Sequence, residues 1–396
     1  MIYKSRFLDI TLVAITFYSV YFLLIHKFSG GKIPFWDFHI TYCAAKTFFL
    51  GNFPYGLFAH GDCLNPNITL TANYSPIALE MLKYLGSLNI KIANFFWVLF
   101  EIISFSIIFY VLKKIFKFNY EWRNFFIIFF SFGASLFTSF FSGNISVILY
   151  GFISLGIYFL FKKKFDYYYL IILFVSLFKF YYLAFLILPF YIIGWKSINK
   201  IFLCICGFIF IQYLSYINNP EITLAFFDVI QGKYENIYPT RFQTGTGLFS
   251  IIEKMPWIFI GINDFNESFF ILKINLMIWF FIISLILISV YFCLNSTKNR
   301  KSNNNFLYSL SFGILAINLV IPRLVVYDVI LTVPIIFYLL NQINFKKFKF
   351  NKLNIKYLLI FSFLILFDHH FIFFVSITFL SFFIYSEFYK KRIFNY

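Results

Sequence analysis

Charge is scarce in this chain: Asp, Glu, Lys and Arg supply 12% of 396 residues, against roughly 25% in soluble domains. With 61% hydrophobic residues and a mean hydropathy of +0.82, that scarcity excludes a soluble globular protein of this size. Acidic residues are the scarcer half, 16 against 33 basic ones. No glycine-rich phosphate loop, dinucleotide fingerprint or nucleophile elbow occurs, so no soluble nucleotide cofactor is expected. Strict polar and apolar alternation is also missing, and with it the pattern of a β-barrel. The abundance of Phe, 65 residues, goes with abundant Ile, Lys and Asn and reads as codon bias.

Long apolar runs are what the chain does have. Residues 7–25, 92–112, 145–161 and 269–294 approach or exceed the roughly 20 residues that a helix needs to cross a bilayer. Backbone groups in lipid must satisfy one another within the segment, so these runs predict helices. The first follows Lys4 and Arg6 and lacks a small-residue cleavage site, which predicts a retained signal anchor.

The net charge of +17 does not point to nucleic acid, because its distribution follows the gaps between apolar runs. Seven clusters hold 22 of the basic residues: Lys4 and Arg6, Lys113 to Arg123, Lys162 to Lys164, Lys196 and Lys200, Lys298 to Lys301, Lys346 to Lys356, and Lys390 to Arg392. The positive-inside rule places all seven in the cytoplasm, so an even number of crossings must separate neighbouring clusters. Pairs of segments satisfy this throughout: 7–25 with 92–112, 124–141 with 145–161, 201–217 with 269–294, 306–321 with 326–341, and 357–367 with 371–389. Residues 167–194 lie between two clusters and read as two half-spans turning at Lys179. The expectation is an all-α polytopic membrane protein of about twelve segments, a multi-pass protein of the cell membrane with both termini cytoplasmic.

One domain, 1–396, is expected, with large extracytoplasmic loops at 26–91 and 218–267. All five His, eight of the ten Pro and 11 of the 16 acidic residues fall on the outer side. Helical patterns at Phe38 to Leu50 and Pro76 to Leu88 predict interfacial helices in the first loop. Cys43 and Cys63 share that loop and can pair in an oxidising compartment. Cys204, Cys206 and Cys293 lie in apolar segments as small hydrophobes.

Three outer features could carry chemistry. Asp37, in Phe35-Trp36-Asp37-Phe38-His39, follows a span and lies among aromatics; desolvation there would make it a better base, while the alternative is a helix cap. Lys179 interrupts an apolar stretch, where a cation is expensive and marks a functional site unless it snorkels to the interface. Arg323 and Asp328 form a further pair that could also neutralise each other. Asp37 with His39, and Asp368 with His369 and His370, are metal-ligand types without a full ligand set, so no metal is assigned. The sequons at Asn67 and Asn73 carry no weight in so Asn-rich a chain.

Together the outer motifs resemble the polyprenyl-phosphate-dependent membrane glycosyltransferases of the GT-C fold, above all glycosyltransferase family 87. The block Asp37, Tyr42, Ala44, Ala45 and Gly51-Asn52-Phe53-Pro54-Tyr55 is similar to the family's Asp after the first span, tyrosine, small residues and Gly-x-x-Pro-Tyr. Tyr74-Ser75-Pro76 stands where the family has Tyr-Pro-Pro, Ser142-Gly143-Asn144 where it has a Gly-Gln-x-Asn-like turn, and Lys179-Phe180 where it has Lys-Pro. Tyr327-Asp328 is similar to a late Tyr-Asp.

The resemblance implies transfer of a hexosyl, mannosyl-type unit from a polyprenyl phosphate to a lipid or glycan acceptor, without cofactor and with inversion. It makes Asp37 the general base, with Asp62 and Asp368 in reserve, and Lys179 and Arg323 the groups on the leaving phosphate. His39, Tyr42, Tyr55, Tyr74, Asn144, Arg241, Gln243, Tyr327 and Asp328 would contact substrate. Membrane lipid, the donor and the acceptor are the expected partners. A transporter or flippase of lipid-linked saccharide would also have many spans, but transporters show repeat halves that are not apparent here. A polymerase or ligase of lipid-linked glycans is the other rival.

Overall fold

A computed structural model describes residues 21, 35–55, 63, 74–117, 122–230, 248–249, 252, 268–298, 305–321, 325–342 and 371–388. Among the described residues there are helices and no strands. In chain order the helices are α1 (Trp36–Phe49), α2 (Pro76–Gly86), α3 (Ile90–Phe116), α4 (Trp122–Ser142), α5 (Ser146–Phe161), α6 (Phe165–Phe178), α7 (Ile187–Ile193), α8 (Ile198–Asn218), α9 (Pro220–Ile230), α10 (Ser268–Lys298), α11 (Asn305–Val320), α12 (Thr332–Gln342) and α13 (Phe371–Phe388). Short 3-10 turns at Phe180–Leu186, Gly194–Ser197 and Val326–Asp328 connect some of them.

Ile90–Phe116, Phe180–Asn218 and Ile274–Asn295 are long and apolar enough to cross a membrane, and 134–142 with 146–161 form a pair bent by 116°. The exposure of these helices is apolar. Phe202 and Leu203 on α8, and Met277, Phe280 and Phe281 on α10, show 64–71% of their surface. Apolar side chains exposed in such numbers suit a lipid surround, because water would penalise each of them. The protein is a helical membrane protein.

The chain divides into two compact units, one of Met1–Ile33, Tyr110–Ser139 and Thr244–Tyr396, the other of Pro34–Phe109 and Phe140–Gln243. In the first, α11, α12 and α13 are joined by a buried polar cluster. Asn318 Nδ2 donates to Thr332 Oγ1 at 2.8 Å and to Ser376 Oγ at 3.5 Å, and the Thr332 hydroxyl returns a bond to Asn318 Oδ1 at 3.0 Å. Such interhelical bonds hold bundles together where apolar burial gives no preference between neighbour and lipid. Phe312 stacks on Phe383 beside them, with centroids 3.9 Å apart.

The second unit is built on close helix approach. Gly86 ends α2 where a Cβ would lie 2.4 Å from the backbone of Ala45 and Lys46, so only glycine lets α2 meet α1 there. Ala44 and Ala45 are fully buried at the same contact. Ser75 caps α2 by accepting from Ala78 N at 3.2 Å, with Pro76 at the first position, a standard helix start. Cys43 and Cys63 form a disulfide, which ties the first loop to the middle of α1.

Helix α6 stops at Phe178, and Lys179 adopts an extended backbone at φ −139° and ψ 104°. The chain then turns back along α6: Tyr168 donates its hydroxyl to Phe185 O at 2.6 Å, and Lys200, at the start of α8, pairs with Asp166 at the start of α6. The basic clusters 162–164 and 196–200 therefore lie at the same end of this hairpin. The turn that the sequence places at Lys179 is present.

Candidate active site at converging helix ends

Four helix ends meet in the second unit. The N-terminus of α1 carries Asp37, that of α5 carries Asn144 and Ser146, that of α2 follows Tyr74 and Ser75, and α6 ends at Lys179. Ser75 Oγ donates to Leu177 O at 2.5 Å and so fastens the start of α2 to the end of α6. The turn before α5 is fastened to α1 in turn, since Phe35 N donates to Phe141 O at 3.0 Å. Gly143 in that turn has φ +67°, and a Cβ there would lie 2.6 Å from Phe35 and 2.8 Å from Phe38. Glycine is required on both counts. Trp97 of α3 completes the support: its indole donates to Gly143 O at 2.9 Å and its ring lies 5.3 Å from that of Phe38.

This scaffold brings Asp37, Asn144 and Lys179 into one hydrogen-bonded chain. Asn144 Nδ2 donates to Asp37 Oδ2 at 3.1 Å, across 107 residues of sequence. Lys179 Nζ donates to Asn144 Oδ1 at 3.3 Å, across 35 residues, and to Ser146 Oγ at 2.6 Å. Asn144 Oδ1 also accepts from Ser146 N at 2.9 Å and so satisfies the first backbone N–H of α5. Asp37 and Lys179 are half-buried, whereas Asn144 and Ser146 are buried. An acid and a base are thus held at the two ends of one amide.

The first turn of α1 is braced from the other side. Thr41 donates its hydroxyl to Asp37 O at 2.9 Å and lies 2.7 Å from the Tyr74 hydroxyl, which must then be the donor between them. Tyr55 donates to Tyr74 O at 2.7 Å, and Tyr42 to Leu88 O at 2.8 Å. Burial pushes the phenols of Tyr42, Tyr55 and Tyr74 above the ordinary range; at Tyr74 the Asp37 charge adds to the effect and the Thr41 bond partly offsets it. All three hydroxyls stay protonated and act as donors. Half-burial lowers His39, two residues from Asp37, below its usual 6.5, so its ring is neutral at pH 7.

Among the residues expected at a site, Asp37, Asn144 and Lys179 are joined directly, and Tyr74 and Tyr55 connect to them through Thr41. Tyr327 and Asp328 belong to the other unit, where Asp328 is buried and accepts from Val325 N at 3.1 Å, closing the local 3-10 turn. Arg241, Gln243, Arg323, Asp62 and Asp368 lie outside the described residues. Among the described residues, no group of three metal-ligating side chains occurs.

Three residues of the site escaped the sequence reading. Ser146 gave no signal beyond helix-start composition, and Thr41, inside α1, gave none. Glu101 did give one, as the only acid in the apolar run 92–112. It is fully buried on α3 one turn from Trp97, within electrostatic reach of Asp37, and neither carboxyl oxygen has a hydrogen-bond partner. The Trp97 N–H is near enough to interact with it but is committed to Gly143.

Fold and site together define a helical membrane protein with a charged junction at converging helix ends. No known family, characterised protein or solved structure matches the chain.

Proposed function

We propose that this protein is a membrane glycosyltransferase that moves a hexosyl, mannosyl-type unit from a polyprenyl phosphate to a lipid or glycan acceptor on the extracytoplasmic face. The observation that carries the reading is the joining of Asp37 to Lys179 through Asn144. Glycosyl transfer from a lipid phosphate needs a base for the acceptor hydroxyl and positive charge for a phosphate that leaves with one more negative charge. The three helix N-termini that meet at this point add to that positive potential.

In this reading Asp37 takes the proton as the acceptor oxygen bonds to the anomeric carbon, and the carbon–oxygen bond to phosphate breaks on the side of Lys179. Displacement from opposite faces inverts the anomeric centre. The architecture proposed with it is GT-C-like, of about twelve membrane segments, with cytoplasmic termini. The Cys43–Cys63 disulfide supports an oxidising compartment for the first loop, which carries Asp37.

The test is reconstitution of the purified protein in sealed vesicles with labelled polyprenyl-phosphate sugar and a lipid acceptor. A new glycosidic product is expected. Label crossing the membrane without product would sink the enzyme and favour a transporter.

A further inference from the structure

The Asn144 side chain has one amide orientation that satisfies its neighbours. The backbone N–H of Ser146, at 2.9 Å, and the Lys179 ammonium, at 3.3 Å, are donors without any acceptor capacity. The amide atom they share must be the oxygen, and the NH2 is thereby turned onto Asp37 Oδ2 at 3.1 Å. Reversal would set a donor against two donors in a buried place. Oδ2 is thereby an acceptor from this amide.

We infer that Asn144 is a positioning residue: its amide NH2, held on Oδ2, fixes the orientation of the Asp37 carboxylate that takes the proton of the acceptor hydroxyl. This rests on the glycosyl-transfer reading for the identity of the proton, though the junction itself does not. In the step, the acceptor O–H breaks with its proton passing to the Asp37 carboxylate, its electron pair forms the bond to the anomeric carbon, and the pair of the breaking carbon–oxygen bond leaves on the phosphate. Ser146 has a part in it, because its N–H and its hydroxyl fix the amide and the ammonium together.

Asn144→Asp tests this, since Asp has the same shape and can accept from Ser146 N equally well. It sets a carboxylate oxygen against Oδ2, and two such oxygens about 3 Å apart share one proton. Among the described residues, the other titratable groups near Asp37 include Lys179, Tyr74, Glu101 and His39, all unchanged in this variant. The variant is expected to lose kcat by on the order of 100-fold with KM for the acceptor unchanged, and its acid limb moves to higher pH. Its infrared spectrum is expected to gain a protonated-carboxyl band that the further change Asp37→Asn removes.

Asn144→Ser, which keeps an acceptor for Ser146 N but withdraws the donor from Oδ2, is expected to lower kcat without creating that band. Wild-type kcat and pH profile in either variant, or no new band in Asn144→Asp, would overturn the inference. The infrared measurement needs no turnover. A wild-type protein that makes no glycoside would therefore overturn the functional reading while the junction is still read directly.

Discussion

Asp37 and Lys179 were legible from residue type alone, because a charge among apolar neighbours is expensive enough to need a reason. The same argument applies to Glu101 and was available in its surroundings, Phe100 and Ile102. Ser146 and Thr41 could not be found this way, since a hydroxyl takes its role from a partner that only the fold supplies. Asp37→Asn keeps the size of the side chain and removes its basicity, so transfer should fall by about 100-fold or more; turnover near the wild-type rate would rule out Asp37 as the base. Lys179→Met removes the charge proposed to face a leaving phosphate and should lower kcat/KM by on the order of 100-fold, read with the polyprenyl-phosphate donor. His39 gives a stability signature. Its folded pKa lies below 6.5, so as pH falls through that value the unfolded chain binds the proton first and the folded state loses ground. The melting temperature in detergent should drop between about pH 7.5 and pH 5.5, and the drop should shrink in His39→Gln.

At the scale of elements, the helices expected at 38–50 and 76–88 correspond to α1 at Trp36–Phe49 and α2 at Pro76–Gly86, and their interfacial placement belongs to the proposed orientation. Their starts were readable because Ser75 and Pro76 are start signals, and their ends differ by no more than helix ends usually do. What could not be read is the contact between them. Ala44 and Ala45 look like ordinary helix formers, and Gly86 like a helix stop, until the backbone of α1 is found against Gly86. Gly86→Val should therefore destabilise the fold by about 1–3 kcal/mol through overpacking, measured as a fall in thermal midpoint, whereas a plain helix-stop role would leave the midpoint nearly unchanged. The 3-10 turns after Lys179 left no trace in composition, because Phe180-Tyr181-Tyr182-Leu183 is apolar in any backbone state.

For the whole molecule, the distribution of Lys and Arg predicted more than any single motif. It required residues 162–164 and 196–200 to lie on one side, and the pairing of Lys200 with Asp166 brings the two clusters together. Which side that is can be read with a membrane-impermeant thiol reagent. Asn52→Cys should label in intact cells and Lys162→Cys only after permeabilisation, and the reverse pattern would overturn the proposed orientation. Both positions are exposed. The disulfide between Cys43 and Cys63 then sets an order of events in the life of the chain. It lies on the helix that bears Asp37, and in the proposed orientation it closes only after the loop has been delivered across the bilayer. In that orientation a chain not yet translocated lacks this brace, and the proposed site is completed on the side where its proposed substrates would be met.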